Sequence, residues 1–485
     1  MIILRKILFY VFLGIYLVLC PLIILYSLGY IYAPKIEEGL VKTGLIHLES
    51  LPAGAAVYLN NKLLEDETPC TLSELLPGQY QVRVQLNEYR PWVKTIDVKA
   101  GKASVFDRIL LLPQEFHSDI LVAQSFQSMI CLPATRFLLL LGSKKIKDMV
   151  VFDWKNNTSR RLVKGDVPYG EQEISRYFVS KGSPCLLFEV QNEGKTQYLW
   201  FELEDEDFKA RDISSLFEPA APDDVRWEKG TPEYLFASYG RHLARLDLRK
   251  MKVRSDFMNN IRGYGPHKGK VYALAVDNLV RLDFDAKKED SVVIDRGRFL
   301  RNVFPGAEFF RLDFLSGKTV FFISGKGELI INRFPYQYLQ KDLEGYAPNA
   351  NLKKVLIWTK KELGFLDLEK TESEEALFER GPEIDWFWIQ GEDIRQAYFV
   401  FAASHALFCD QDIVQLAEID APFSAPRKIV RILRKSVPFY SEKTGKLYYL
   451  EPTQGNLVSL ELIPRGKLLG GVFEEIEPQR LEEEQ

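Results

Sequence analysis

The chain has 485 residues, of which 46% are hydrophobic and 27% charged, and its formal net charge is −4. This length allows two or more domains with full hydrophobic cores, and the balance of apolar and charged residues excludes a largely disordered protein. The slight negative charge argues against a nucleic-acid partner, because phosphate binding needs a basic face. Aromatic residues make up 13% of the chain, which favours β structure.

The first predicted element is a membrane-spanning helix from Ile7 to Ile31. No charged residue occurs in it or after it before Lys35, and roughly twenty apolar residues are enough to cross a bilayer as a helix. The alternative is a cleaved signal peptide with Ser27 and Gly29 as its small-residue pair, but the apolar region of a signal is only about 7–15 residues long. We therefore predict an uncleaved anchor, with residues 1–35 forming a cytoplasmic N-terminus and the helix.

The charges around this helix set its orientation only weakly. Arg5 and Lys6 precede the apolar stretch, whereas Lys35 and Lys42 follow it. By the positive-inside rule this favours a cytoplasmic N-terminus and an extracytoplasmic remainder. A membrane scaffold that faces the cytoplasm is the alternative topology.

A compact all-β module is predicted for residues 44–113. Its clearest strand runs from Gln79 to Leu86, where apolar and polar side chains alternate with a period of two. Val82 and Val84 fall on the face that we expect to be buried, and Arg83 falls on the outer face.

Three short motifs give this module its order of turns and strands. PAGAAVYLN begins at Pro52, a Thr68-Pro69 dipeptide follows, and PGQYQVRVQL begins at Pro77. The small residues of the first motif predict a hairpin, because backbones can approach each other closely there. The order resembles the PEGA domain, a small β-sandwich of bacterial surface proteins. The resemblance implies a spacer or wall-binding module outside the cytoplasm of a bacterium.

Residues 118–464 contain a repeated hairpin in which an apolar strand, a short turn and a second strand end in an apolar-acid-apolar triplet. The acids, with one Asn in the same position, recur about every 44 residues, and four-stranded propeller blades repeat every ~40–50 residues. The positions are Asp153, Glu202, Asp247, Asp283, Asn332, Asp367, Glu418 and Glu461. We interpret the acids as turn residues whose carboxylates accept backbone N–H bonds.

The repeat predicts a β-propeller of eight blades, with seven as the alternative if two hairpins share one blade. It is similar to the loosely conserved propellers of the TolB and WD40 types, although the WD dipeptide is missing. Because an open ring would leave two unpaired edges, we predict that the strand Asp119 to Gln124 pairs with the last copy around Leu457 to Leu462. Residues 473–485, rich in Glu, predict an acidic disordered tail.

No catalytic motif, metal site or cofactor site is predicted. The nucleophile, zinc-protease, P-loop and dinucleotide motifs are missing from the sequence. Asp283, Asp285 and Asp290 faintly suggest a calcium loop, but the required Gly and distal Glu are lacking. The five cysteines have no metal spacing, and we interpret them as free thiols rather than disulfides.

Two weak candidates for a ligand-binding surface remain. Trp386 and Trp388 would give flat apolar platforms for a sugar or a peptide if exposed, but packing between blades is the alternative. Arg431 and Arg434 belong to a basic run that fits an acidic polymer, with an ordinary solvated strand face as the alternative.

The sequence therefore predicts an all-β, single-pass membrane protein of the bacterial cell envelope. A non-catalytic binding or scaffolding role fits best, with envelope proteins or cell-wall glycan as partners and no nucleic acid. The alternative is a propeller enzyme acting on an envelope polysaccharide or peptide. Convergence of acids, His or Arg from several blades at one mouth of the propeller would favour an enzyme, and the sequence gives no sign of it.

Overall fold

The structure is a computed structural model. It describes residues 2–32, 39–133, 135–165, 167–192, 194–204, 208, 210–218, 220–228, 231–275, 278–283, 292–296, 309–315, 319–332, 336–349, 351–369, 382–420 and 425–463. The predicted acidic tail and the residues Asp285 and Asp290 lie outside these ranges.

The first element, α1, is an α-helix from Ile2 to Ser27. Its segment Ile7–Ser27 is long and apolar enough to cross a membrane, and none of it is buried inside the protein. The predicted end at Ile31 is wrong. The helix stops before Gly29, whose φ of +82° is the left-handed conformation that commonly ends helices.

A short two-stranded sheet follows the helix. Strand β1 (Tyr30–Tyr32) pairs antiparallel with β2 (Leu40–Lys42). The chain therefore turns from helix to strand within three residues of Ser27.

The next seven strands form a sandwich of two sheets. They are β3 (Gly44–Leu51), β4 (Ala56–Leu59), β5 (Lys62–Glu67), β6 (Cys70–Leu75), β7 (Gly78–Gln85), β8 (Trp92–Val98) and β9 (Ala103–Leu110). One sheet has the order β6-β3-β9 and the other β5-β4-β7-β8. The predicted alternation in β7 is confirmed, because Val82 and Val84 are fully buried in the core between the sheets.

The predicted hairpin at residues 53–55 is wrong. These residues lead from β3 in one sheet to β4 in the other, so they form a crossover. The crossover is held by Thr68, which is buried. Its hydroxyl lies 2.6 Å from the Ser50 hydroxyl and accepts a hydrogen bond from the Ala55 N–H at 3.0 Å. The Thr-Pro motif therefore ties the ends of the crossover together.

The remaining strands group into eight units of four. The first half comprises β10 (Ser118–Val122), β11 (Ser128–Cys131), β12 (Phe137–Leu141), β13 (Met149–Asp153), β14 (Thr158–Arg161), β15 (Glu173–Val179), β16 (Cys185–Asn192), β17 (Lys195–Glu202), β18 (Ala210–Asp212), β19 (Asp224–Glu228), β20 (Thr231–Tyr239), β21 (His242–Asp247), β22 (Lys252–Asn259), β23 (Ile261–His267), β24 (Lys270–Ala275), β25 (Asn278–Asp283) and β26 (Val292–Arg296). Short 3₁₀ turns occur at Ile146–Asp148 and Ser214–Leu216.

The second half continues the same pattern. It comprises β27 (Phe310–Phe314), β28 (Val320–Ser324), β29 (Leu329–Ile331), β30 (Gln337–Gln340), β31 (Gly345–Pro348), β32 (Lys354–Trp358), β33 (Leu363–Asp367), β34 (Asp385–Trp388), β35 (Ile394–Val400), β36 (His405–Asp410), β37 (Ile413–Glu418), β38 (Arg427–Arg431), β39 (Phe439–Ser441), β40 (Lys446–Leu450) and β41 (Leu457–Glu461). Seven of the eight predicted hairpins supply the second and third strands of their own unit. In the seventh, the predicted segment AYFVFA belongs to the first strand, β35, and the second strand is β36. The described strands therefore form eight blades and not seven.

Each blade is buried on both faces, which explains its nearly continuous apolar strands. In β16, Leu186 and Phe188 pack into a cluster with the preceding blade. Cys185 and Leu187, on the opposite face, pack into a cluster with the following blade. A blade of this kind cannot leave either face in water, so the blades stabilise one another.

The two ends of the propeller segment meet in one blade. Strand β10 pairs antiparallel with β41, with Ile120 opposite Val458, in the sheet β10-β41-β40-β39. The predicted pairing of the first strand with the last hairpin is therefore confirmed.

Blades four and five are joined into one eight-stranded sheet. Their first strands, β23 and β27, pair in parallel, with Gly263 opposite Phe310. The approach is so close that a Cβ at Gly263 would overlap the Phe310 carbonyl oxygen, and one at Gly265 would overlap that of Leu312. The sequence repeat gave no sign of this junction.

The recurring acids end the third strands, as predicted. Asp153 Oδ1 accepts hydrogen bonds from the backbone N–H groups of Lys155 at 3.0 Å and Asn156 at 3.2 Å. Asp247 and Asp367 accept the same kind of bond from residues two or three positions later. For these three, the turn-capping role is confirmed.

Candidate functional site

The first strands of neighbouring blades lie side by side in the propeller. Strand β15 contacts β19, β19 contacts β23, β23 pairs with β27, and β31 contacts β35. In propellers such strands surround the central channel. Polar side chains on them therefore come together from blades that are far apart in the sequence.

Asp313 on β27 is the centre of such a convergence. Lys181, in the turn after β15, places its Nζ 3.0 Å from Asp313 Oδ1. Arg311 places its Nε 2.8 Å from Oδ2. The Tyr346 hydroxyl, on β31, donates to the same oxygen at 2.6 Å. Blades two, five and six thus meet at one carboxylate.

Arg226 extends this group from blade three. Its Nε lies 2.7 Å from Asp224 Oδ2, and its Nη1 donates to the Tyr264 carbonyl at 3.1 Å. Its guanidinium also lies over the Tyr264 ring, 5.0 Å from the centroid. We call Lys181, Arg226, Arg311, Asp313 and Tyr346 the central cluster.

The charges of the cluster set the ionisation of its members. Burial alone would raise the pKa of Asp313, but the positive charges of Lys181 and Arg311 outweigh it and hold this pKa far below its usual range. Arg311 and Arg226 repel the Lys181 ammonium, and Asp313 attracts it. Asp313 is therefore ionised at neutral pH, with Lys181 and Arg311 beside it.

A second buried carboxylate lies in the neighbouring part of blade two. Glu189 accepts a hydrogen bond from Arg176 Nε at 2.9 Å, from Ser175 at 2.9 Å and from Tyr198 at 3.1 Å. Arg176 also donates to the Pro222 carbonyl at 2.9 Å, just before the first strand of blade three. Burial opposes ionisation of Glu189, but these donors outweigh it and lower its pKa.

The central cluster is open to solvent on its cationic side. The side chains of Lys181 and Arg311 are 60% and 43% exposed, whereas that of Asp313 is 10% exposed. With Arg226 and its partner Asp224 included, three cations face two carboxylates.

The predicted tryptophans lie on β34, the outer strand of blade six. Trp386 packs against the cluster between blades five and six, and Trp388 packs against the cluster between blades six and seven. A shift in register between Leu363 and Gly364 of the paired strand accompanies this change of side. Both indoles are half-buried, and Phe387 between them is buried.

The predicted arginines lie at the end of blade seven. Arg431 ends β38, and its Nε lies 3.4 Å from Asp412 Oδ2. Arg434 follows in a turn, and both side chains are exposed. The structure does not bring either arginine together with the tryptophans in any contact among the described residues.

Within the described ranges, no three His, Cys, Asp or Glu side chains come close enough together to hold a metal ion. All five cysteines are free thiols, as predicted. Burial raises the pKa values of Cys131, Cys185 and Cys409 to about 12, so these thiols are unreactive.

Comparison with protein families identifies one module of the chain. Residues 43–110 match the PEGA domain. This agrees with the two-sheet sandwich and confirms the resemblance drawn from the turn motifs. No curated protein matches the sequence of the chain.

Three of the solved structures that this chain is similar to, all at low identity, are the following. The β-propeller domain of Cps50 (Swd1) from Myceliophteria thermophila is 10% identical, with 72% of this chain and 99% of that chain covered and a TM-score of 0.42. Hsv2 from Kluyveromyces lactis is 8% identical, with 70% and 98% covered and a TM-score of 0.39. PorZ, a surface component of the type-IX secretion system of Porphyromonas gingivalis, is 10% identical, with 68% and 42% covered and a TM-score of 0.35. The propeller architecture of this chain is established by its own strand pairing.

Sequence reasoning missed the central cluster. Its members are separated by long stretches of chain and belong to no motif. The one available signal is a polar residue at alternate positions of a strand just before a repeat hairpin, as in Arg226 of DVRWE or Arg311 and Asp313 of FRLDF. That signal has no meaning until the blades are arranged around a centre.

Proposed function

We propose that this protein is a membrane-anchored component of the bacterial cell envelope with a non-catalytic binding role. In this proposal α1 is an uncleaved anchor with its N-terminus in the cytoplasm. The PEGA domain is a spacer or wall-binding unit outside the membrane, and the propeller is the platform that binds an envelope protein or glycan.

The observation that supports a ligand-binding site is the convergence on Asp313 from blades two, five and six. Such a convergence was the feature expected of a propeller enzyme, so the ionisation of the cluster is what favours one role over the other. A propeller that only filled space would not need polar side chains from separate blades at its centre, since a buried ion pair adds little net stability. Such a convergence is typical of a binding site placed by a rigid scaffold.

The ionisation of the cluster favours binding over catalysis. A hydrolase acting on a glycan needs one carboxylic acid with a raised pKa to protonate the leaving group. Asp313 has the opposite property, because Lys181 and Arg311 hold its pKa far below the usual range. An enzyme acting on an envelope polysaccharide or peptide is therefore the weaker alternative.

The orientation is tested by adding protease to intact spheroplasts that contain the full-length protein. We expect digestion of everything beyond Lys35, which leaves a short membrane stub. Protection of the full-length chain would contradict the proposal and favour the scaffold that faces the cytoplasm. A mature N-terminus near Tyr30 would instead show a cleaved signal.

The binding role is tested with the full-length protein in neutral detergent and fractions of the cell envelope. We expect the wild type to retain an envelope component that the variant Arg311→Glu does not retain. Arg136→Glu is the matched control, because Arg136 has the same exposure and also pairs with a buried carboxylate. Release of soluble products from the envelope fraction would point to the enzyme.

A further inference from the structure

We propose that the central cluster binds an oxyanion, a carboxylate or a phosphate group, at the exposed side of Lys181 and Arg311. This inference rests on the proposed function, because it names the chemistry of the group that the binding platform recognises. It is carried by the geometry of the hydrogen-bond donors and by the balance of charge.

The donors of the two cations are only partly used. A lysine ammonium has three N–H donors and an arginine guanidinium has five. Among the described residues, Lys181 uses its ammonium for Asp313 Oδ1, and Arg311 uses its Nε for Oδ2. The two Nη groups of Arg311 and the remaining ammonium protons point to no other described protein acceptor.

The Asp313 carboxylate already interacts with three donors of the protein. These donors are Lys181, Arg311 and the Tyr346 hydroxyl, and the carboxylate is buried. It therefore fixes the positions of both cations without neutralising them fully. A pre-positioned pair of cations is what an oxyanion with two or more acceptor oxygens requires.

The local charge also favours an anion. Arg226 is paired with Asp224, so it adds no net charge with its partner. Lys181 and Arg311 both pair with Asp313, so these three side chains together have a net charge of plus one. The effects of Arg311 and Arg226 on Lys181 are repulsive, and a bound anion would relieve this repulsion. The exposed side of the site therefore has one positive charge that no described carboxylate of the cluster compensates.

Two other surfaces of the chain are weaker candidates for a binding site. The basic strand β38 presents Arg431, but among the described residues its one ion-pair partner is Asp412 of the same blade, and no side chains from other blades converge on it. The exposed apolar residues of the PEGA domain, such as Val93 and Val105, lie opposite Arg83 and His47 on neighbouring strands, and nothing in the structure shows what would cover them.

The inference is tested by calorimetric titration of the full-length protein in neutral detergent at low salt. The probes are inorganic phosphate and a triglutamate peptide, which separate a phosphate site from a carboxylate site. We expect at least one probe to bind the wild type. The variants Lys181→Gln and Arg311→Gln should each weaken that binding by about tenfold, the value of one charged hydrogen bond.

The chain provides a matched control for each variant. Lys353 is 54% exposed and pairs with Glu369 at 2.8 Å, and Arg136 is 43% exposed and pairs with the buried Asp153 at 3.0 Å. Lys353→Gln and Arg136→Gln should leave binding unchanged. Lys181→Arg should retain most of it, because the charge and donors are kept. If Arg311→Gln fails to fold, the exposed position of Lys181 allows the test to proceed with Lys181→Gln and Lys181→Arg.

The inference is overturned if neither probe binds the wild type, or if central and control variants lose binding equally. Those results would not contradict the proposed envelope function, which is supported separately if protease digests the protein on spheroplasts and if the protein retains an envelope component. Conversely, a protected, inward-facing chain that still binds phosphate would refute the proposed function and support the anion site.

Discussion

Ile120 lies directly opposite Val458 in an antiparallel strand pair, although one begins the propeller segment and the other nearly ends it. The contact makes the eighth blade a composite of both chain ends. It also makes the stability of the last hairpin depend on residues that are distant in the sequence.

Deletion of Asp119 to Gln124 should therefore destabilise the C-terminal hairpin as much as the adjacent first blade. The reason is that β41 would become an unpaired edge once β10 is removed. Hydrogen exchange measures this effect, with loss of protection expected in both Phe137–Asp153 and Leu447–Leu462. Loss that is confined to the first region would show that closure does not depend on β10.

In the PEGA domain, Val84→Asp should unfold the sandwich. Val84 is fully buried between the sheets, and an unpaired charge at such a position costs several kcal/mol. Gln85→Asp, one residue away on the exposed face, is the matched control and should change the free energy of unfolding little. Equal effects in chemical denaturation would mean that the register of β7 is wrong.

Arg83→Asp should have an intermediate effect. The Arg83 guanidinium lies 4.0 Å from the Tyr58 ring centroid, and a cation–π contact of this kind contributes about 0.5–1 kcal/mol at an exposed site. Denaturation of Arg83→Asp beside Tyr58→Leu, which keeps the charge of Arg83 and removes the ring, separates this contact from a general charge effect. An Arg83→Asp variant as stable as the wild type would show that the contact contributes nothing.

Gly265→Ala should weaken the junction of blades four and five. A Cβ at this position would overlap the carbonyl oxygen of Leu312, so β23 and β27 would have to move apart. Overpacking of this kind costs roughly 1–3 kcal/mol, which a thermal unfolding scan detects. Gly325→Ala is the control, since nothing lies within 4 Å of its Cβ position. Equal melting temperatures for the two variants would contradict the junction.

Asp313 should give the protein an acid-sensitive contribution to stability. Its pKa is lowered in the folded state, because the charges of Lys181 and Arg311 outweigh its burial. The contribution is fully present above the unfolded pKa of about 4 and is lost as the pH falls from there towards the folded pKa. The difference in melting temperature between the wild type and Asp313→Asn should therefore be constant near neutral pH and shrink below about pH 4. A difference that does not change with pH would show that Asp313 is not held ionised by its neighbours.

The sequence by itself determined the elements whose causes are local. Alternation around Val82 and Val84 defined a half-buried strand. The apolar-acid-apolar triplets marked the third strand of seven blades, with Asn332 at this position in the remaining one, because a carboxylate such as Asp153 caps the turn that follows it. The apolar length before Ser27 defined α1 but not its end, since Gly29 ends the helix through its backbone conformation.

What the tertiary structure decided depends on residues that meet only after the blades are arranged. The crossover at residues 53–55 looked like a hairpin because small residues suit both, and only the pairing of β3 and β4 with different sheets separates them. The sequence did not decide whether Trp386 and Trp388 are exposed. In the structure, packing against the clusters between neighbouring blades leaves both side chains half-buried. Lys181 carries no signal in its own segment, and the alternation of Arg311 and Asp313 along β27 acquires a meaning only when Lys181 and Tyr346 reach Asp313 from other blades.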